Sequence, residues 1–227
     1  MEKFGHPKGG RMRLVKGAEI YSSEGQKLGN LDRVIIDPNT KEVTHLVIEK
    51  GLLFPTNKVV AIDMVNPVIK DNIALLGPQK DIDDFQDFEE THYVDLEQAD
   101  YPDPEAKAVY WYPPTNFAWW RTGADMIYPP MPVYIRKTKQ NIPEGTIAVE
   151  EGAKVLSRDD KHVGNVEQVI VDSQDNRVTH FVISEGLLFK EQKLIPVFWI
   201  SAIDEHEVRL SVDADLMDRL PGYQPTR

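Results

Sequence analysis

The chain has 227 residues, no cysteine and a formal charge of −11, with 41% hydrophobic residues. That length and apolar content suit two modest cores, and the missing thiols exclude disulfides, thiolate nucleophiles and cysteine metal sites. The acidic balance disfavours nucleic acid, whose binding needs lysine and arginine to displace counterions.

In chain order, residues 1–15 read as a basic tail: Lys3, Lys8, Arg11 and Arg13 stand against Glu2 alone, with no apolar core of a secretory signal. No run approaches the roughly 20 apolar residues of a membrane-spanning helix, so a soluble, cytoplasmic protein is expected. Residues 16–77 then alternate short β-branched runs with turn residues. Ala18–Tyr21, Leu31–Ile36, Glu42–Glu49 and Lys58–Ile62 read as strands, followed by a hairpin of Val68–Lys70 with Ile73–Leu75. Glu42–Glu49 is apolar on both faces and is expected to be central.

Residues 78–145 differ in kind. From Lys80 to Lys107 there are eleven acids against two lysines, a local charge of −9. Asp81–Phe88 spaces Ile82, Phe85 and Phe88 at helical intervals and predicts a short acidic helix. An aromatic and proline-rich stretch follows, with Trp111, Tyr112, Phe117, Trp119 and Trp120. A disordered tether is poor in aromatics. These rings are expected either to pack between two domains or to contact a partner, each contributing about 1.5–3 kcal/mol when buried.

Residues 146–212 repeat the first domain. A shift of 135 residues aligns 17–75 with 152–210 without a gap. The identities include Gly29/Gly164, Asn30/Asn165, Asp37/Asp172, His45/His180, Lys58/Lys193 and the run Gly51–Phe54 with Gly186–Phe189. Residues 213–227 read as a C-terminal helix and tail, with Asp213–Leu220 helical before Pro221-Gly222. Phe85, Phe88, Leu216 and Leu220 are expected on barrel flanks.

The fold class is all-β: two tandem small barrels of about six strands each, with short helical appendices and the aromatic connector. Gly29-Asn30-Leu31 with Val34-Ile35-Ile36-Asp37, its counterpart Gly164-Asn165-Val166 with Val169-Ile170-Val171-Asp172, then Arg177–Ile183 and Ile195-Pro196-Val197 resemble the PRC-barrel family. That family includes the cytoplasmic part of the photosynthetic reaction-centre H subunit and a domain of the ribosome maturation factor. The first copy departs from the pattern with Glu42 for arginine and Val60-Ala61-Ile62 for the proline motif. The resemblance implies an assembly or adaptor role more than a chemistry.

Enzyme fingerprints such as G-x-S-x-G, a Walker loop or H-E-x-x-H are absent from the sequence, and neither cofactor nor metal is expected. His45 and His180 lack further ligands at metal spacing and read as structural histidines with locally bonded ring nitrogens. Asp37 and Asp172 read as turn caps, and the Gly-Asn pairs as turn or bulge signals. Candidate partner-binding residues are the five connector aromatics and the loops Leu52, Leu53, Phe54 and Leu187, Leu188, Phe189. The expected function is a non-enzymatic adaptor for another protein, of basic character given the acidic stretch. The alternatives are an accessory subunit of a photosynthetic or electron-transfer membrane complex, a ribosome or RNA-processing assembly factor, and a ligand- or metal-binding regulator. The two copies are expected to form an internal pseudo-dimer, with homo-oligomerisation open.

Overall fold

The computed structural model describes residues 10–51, 55–66, 72–76, 82–95, 107–109, 134–185 and 191–224. The first copy contains β2 (Glu19–Tyr21), β3 (Lys27–Ile36), β4 (Val43–Lys50), β5 (Thr56–Ala61), β6 (Val65–Asn66) and β7 (Ile73–Leu75), preceded by β1 (Arg11–Val15). After it come β8 (Gln86–Asp87), β9 (Glu89–Asp95), β10 (Lys107–Val109) and β11 (Tyr134–Gln140). The second copy has β13 (Lys154–Leu156), β14 (His162–Asp172), β15 (Val178–Glu185), β16 (Glu191–Pro196), β17 (Ile200–Ile203) and β18 (Glu207–Leu210). It is preceded by β12 (Ile147–Glu150) and followed by α1 (Ala214–Asp218). Six strands per copy in barrel-like sheets agree with the expected tandem all-β architecture.

The copies match to the residue in their pairing. β3 meets β4 antiparallel with register shifts at Leu31/Arg33 and Ile35/Ile36, and β14 meets β15 with shifts at Val166/Gln168 and Ile170/Val171, the same places 135 residues on. Thr44 and Thr179 sit at the second bulge, and each hydroxyl donates to the strand opposite, to Ile35 O and Ile170 O. The expected central strand is central: β4 runs between β3 and β5, and Leu46, Val47 and Ile48 are fully buried.

The basic tail ends sooner than expected. Residues 11–15 form β1, which pairs with β14 of the second copy, Arg11 opposite Asp172 and Leu14 opposite Val169. Its counterpart β12 pairs with β3 of the first copy, Ile147 opposite Ile36 and Val149 opposite Val34. Each copy thus lends its leading strand to the other. The charge of Arg11 and Arg13 masks the cause in the sequence, a period-2 alternation that points Met12 and Leu14 inward. The exchange is reciprocal elsewhere as well. Val43 N donates to Asn176 O and Val178 N donates to Lys41 O, each at 2.9 Å, flanking a bridge between Glu42 and its own repeat equivalent, Arg177.

The main hydrophobic cluster accordingly spans both copies, joining Leu14, Ile20, Leu46 and Ile48 to Val149, Val169, Phe181 and Ile195. A polar seam crosses the same boundary: Arg33 pairs with Glu205 and, at 3.4 Å, with Asp32, while Lys16 lies 3.5 Å from Asp32. Both copies belong to one compact unit, residues 1–88 with 141–227.

Residues 82–88 do not form the expected helix. A single 3-10 turn over Ile82–Asp84 leads into β8, which pairs with β5, and Phe88 is buried on the sheet face against Ile35 and Val47. Phe88 N donates to Asn57 O at 2.8 Å, and Tyr223 N donates to Gln192 O at 2.6 Å, again 135 residues apart. The duplication therefore extends beyond the identities, to Phe88 and Tyr223. The C-terminal helix is present, but Ala214 and Met217 are its buried residues and Leu216 is exposed, contrary to the expected packing; Leu220 and Phe85 do pack against the main cluster.

A second unit, residues 89–140, is an antiparallel three-stranded sheet ordered β10–β11–β9. The expected connector therefore contains regular structure. One of its acids is matched by register, with Glu90 opposite Lys139. The chain returns to the first unit at Asn141, whose backbone N donates to Phe88 O at 2.7 Å.

Candidate functional site

The copies diverge where their sheets face away from the common core. In the first copy, Ile35 on β3 stands opposite His45 on β4, which stands opposite Ala61 on β5. Directly opposed residues share a face, so these line the outer surface. There Ile35 and Val47 form a second cluster with Phe88 and Ala148, and Val59 and Ile142 pack against it. Phe88 is completely buried, and the Arg33 guanidinium lies 5.4 Å from the centre of its ring. The outer face of the first copy is closed by an aromatic plug.

The equivalent positions of the second copy are Ile170, Val182 and Tyr223, with Arg13 where the first copy has Ala148 and Leu194 where it has Val59. An arginine thus stands where the first copy has an alanine beside its plug, and Tyr223, at the plug's own position, is only half-buried. What results is a surface hollow of about 240 Å³ lined by Arg11, Arg13, Ile170, Leu194 and Tyr223. Ile170 supplies an apolar floor, arginine stems can cover such a floor, and β1 contributes both arginines to the lining. Asp172 lies opposite Arg11 in register, and its Oδ1 accepts a hydrogen bond from Gln174 N at 2.8 Å.

His180 stands beside Ile170 on this face. Burial holds its imidazole below the ordinary histidine range, and the Arg11 charge pushes it further down. His45 is lowered by burial too, with Asp63 acting in the opposite sense. The expectation that their ring nitrogens are locally bonded is corrected for Nδ1. In both residues that atom is buried without a hydrogen-bond partner, since the neighbours across the strands are Ile35 and Ala61, or Ile170 and Pro196.

The turn aspartates behave as read from the sequence. Asp37 Oδ1 accepts from Asn39 N at 2.8 Å and Thr40 N at 3.2 Å, and these backbone bonds lower its carboxyl pKa. Gly29 and Gly164 lie inside β3 and β14 where those strands press on the next strand. A Cβ on Gly29 would stand 2.4 Å from Glu49 O, and one on Gly164 2.6 Å from Ser184 O. Lys58 and Lys193, shared by both copies, are buried and pair with Asp87 at 2.9 Å and Glu185 at 3.0 Å. Among the described residues no cluster of three or more histidine, aspartate or glutamate side chains could hold a metal.

Every residue expected to bind a partner lies outside the described residues: Trp111, Tyr112, Phe117, Trp119 and Trp120, and both loops, Leu52–Phe54 and Leu187–Phe189. The sequence reading passed over Arg11, Arg13 and Tyr223. Their signal was the mismatch at repeat-equivalent positions, arginine against Ala148 and tyrosine against Phe88, just outside the aligned segments.

The sequence profile of the PRC-barrel domain matches residues 11–81 and 151–216, more than half of the chain. The chain belongs to the PRC-barrel family. A search of curated proteins returned no match. Both PRC-barrel segments begin at or close to the exchanged strands, β1 lying inside the first and β12 just ahead of the second. No described helix is long and apolar enough to cross a membrane.

Proposed function

We propose that this tandem PRC-barrel protein is a non-enzymatic adaptor that binds another protein and organises its assembly. PRC-barrel domains serve protein-interaction and assembly roles. The observation that carries the reading is how the repeated residues are used. Bulges, turn caps, close-approach glycines and exchanged strands all maintain the fold, so recognition falls to what differs between the copies. Those differences are the outer face of the second copy and the segment between the copies, with its acids and aromatics. An acidic surface attracts a basic partner and raises its association rate.

The test is affinity purification of the full chain from its native host, with crosslinks mapped by mass spectrometry. The reading expects a reproducible partner at fixed stoichiometry, crosslinked to the outer face of the second copy or to residues 89–140. Replacing Trp111, Trp119 and Trp120 by alanine should weaken that capture. A chain that elutes alone under mild crosslinking would contradict the adaptor role.

A further inference from the structure

We infer that residues 89–140 are a removable insertion between the two copies: the double barrel folds without them, and contact with the partner protein is lost when they are removed. The second half of this inference rests on the adaptor reading; the first half stands on the geometry around Phe88 and Asn141.

A connector must span the distance between the points it joins. Here that distance is one backbone hydrogen bond. Asn141 N donates to Phe88 O at 2.7 Å, and the Asn141 side-chain amide donates to Asp87 O at 3.0 Å. One residue further along, Glu89 stands opposite Gln140 as an antiparallel pair. The chain thus leaves and re-enters at neighbouring positions, the geometry that a two-residue Asn-Gly turn closes in a hairpin. Connection alone would need about two residues where the chain has 52.

The copies do not depend on this interval to stay together, because each lends its leading strand to the other, β1 to β14 and β12 to β3. Every described member of both buried clusters comes from residues 12–88 or 142–220. The two points of attachment are themselves anchored. Phe88 is completely buried, and Ile142 packs against the same cluster. A shorter loop also costs less closure entropy than a longer one.

A long segment needed for neither connection nor core is expected to carry function. Its composition indicates recognition of a protein. Six of the chain's eight tyrosines and three of its four tryptophans lie within residues 89–140. These are the side chains in which protein interfaces are enriched. The interval also has a sheet of its own, β10–β11–β9, on which such residues can be presented.

The test replaces residues 89–140 by Asn-Gly. A second variant carries a six-residue Gly-Ser loop instead, which removes any strain of the tight turn. Backbone amide spectra of β3–β5 and β14–β16 should overlay on those of the full chain. Urea unfolding should remain a single transition, with a midpoint equal to that of the full chain or higher. The protein that crosslinks to the full chain, once purified, should lose roughly tenfold or more in affinity for either variant. An excess of either variant should fail to displace it from the full chain. Loss of the native amide spectrum in both variants, or a clearly lower urea midpoint in both, would overturn the inference. So would a folded variant that binds the purified partner within about twofold of the full chain. If the full chain crosslinks to no protein, the adaptor reading falls, and the spectra and urea midpoints still decide whether the double barrel folds without the insertion.

Discussion

Gly29 and Gly164 bring the strands of each copy closer than any side chain allows, so the identity of these residues is a packing requirement. Alanine at either position would drive Cβ into a backbone carbonyl, and overpacking of this kind costs about 1–3 kcal/mol. Urea unfolding of Gly29→Ala and Gly164→Ala should show losses in that range, larger than for alanine at Gly25, where no atom lies within 4 Å but a positive φ of 82° must still be held. The histidines make a pH-dependent contribution. Both have folded-state pKa values lowered by burial from the ordinary 6.5, so the unfolded chain binds protons more readily. The stabilisation is therefore fully present above about pH 6.5 and is lost as pH falls through the lower folded-state value. The buried, unpartnered Nδ1 atoms give the structural reason, because a proton there would gain no acceptor. Stability curves of the double variant His45→Gln, His180→Gln should be flatter between pH 7 and 5 than those of the wild type. Parallel curves would refute a role for these imidazoles in acid sensitivity.

At the scale of elements, the two segments that close the outer faces are equivalent in backbone and unequal in packing. Phe88 is sealed in a cluster with Ile35, Val47 and Ala148, whereas Tyr223 borders an open hollow. Phe88→Ala should therefore cost about 3–5 kcal/mol, in the range of a buried aromatic truncation. Tyr223→Ala should cost clearly less, and the difference is measurable by parallel denaturant titrations. Equal losses would mean that the two faces are packed alike. The expected strand Val68–Lys70 lies outside the described residues. The central strands β4 and β15 were legible in the sequence because β-branched runs bounded by turn residues mark them locally. β1 was not, because only Met12 and Leu14 carry its pattern and two arginines read as tail. Residues 82–88 misled for a related reason: a spacing of three suits a helix, but Phe88 gains more by burial against β3 and β4 than a short helix could return. The hollow was illegible because it arises from residues nearly the whole chain apart, Arg13 and Tyr223, and from the size of a side chain absent there.

For the whole molecule, the duplication has produced one folded body instead of two beads. Internal identities revealed two copies; they could not reveal that each copy completes the other, since strand exchange depends on which partner a short strand meets in space. Leu14 belongs by sequence to the first copy and packs, through β1, on β14 of the second. Truncating such a buried leucine costs about 2–5 kcal/mol. The most direct measurement is amide hydrogen exchange on the full-length Leu14→Ala variant, comparing β4 in the first copy with β15 in the second. A single cooperative body predicts that protection falls in both strands by the same factor, because both open through the same global unfolding. Loss of protection in β15 alone, with β4 unchanged, would show that the copies fold independently and would contradict the account.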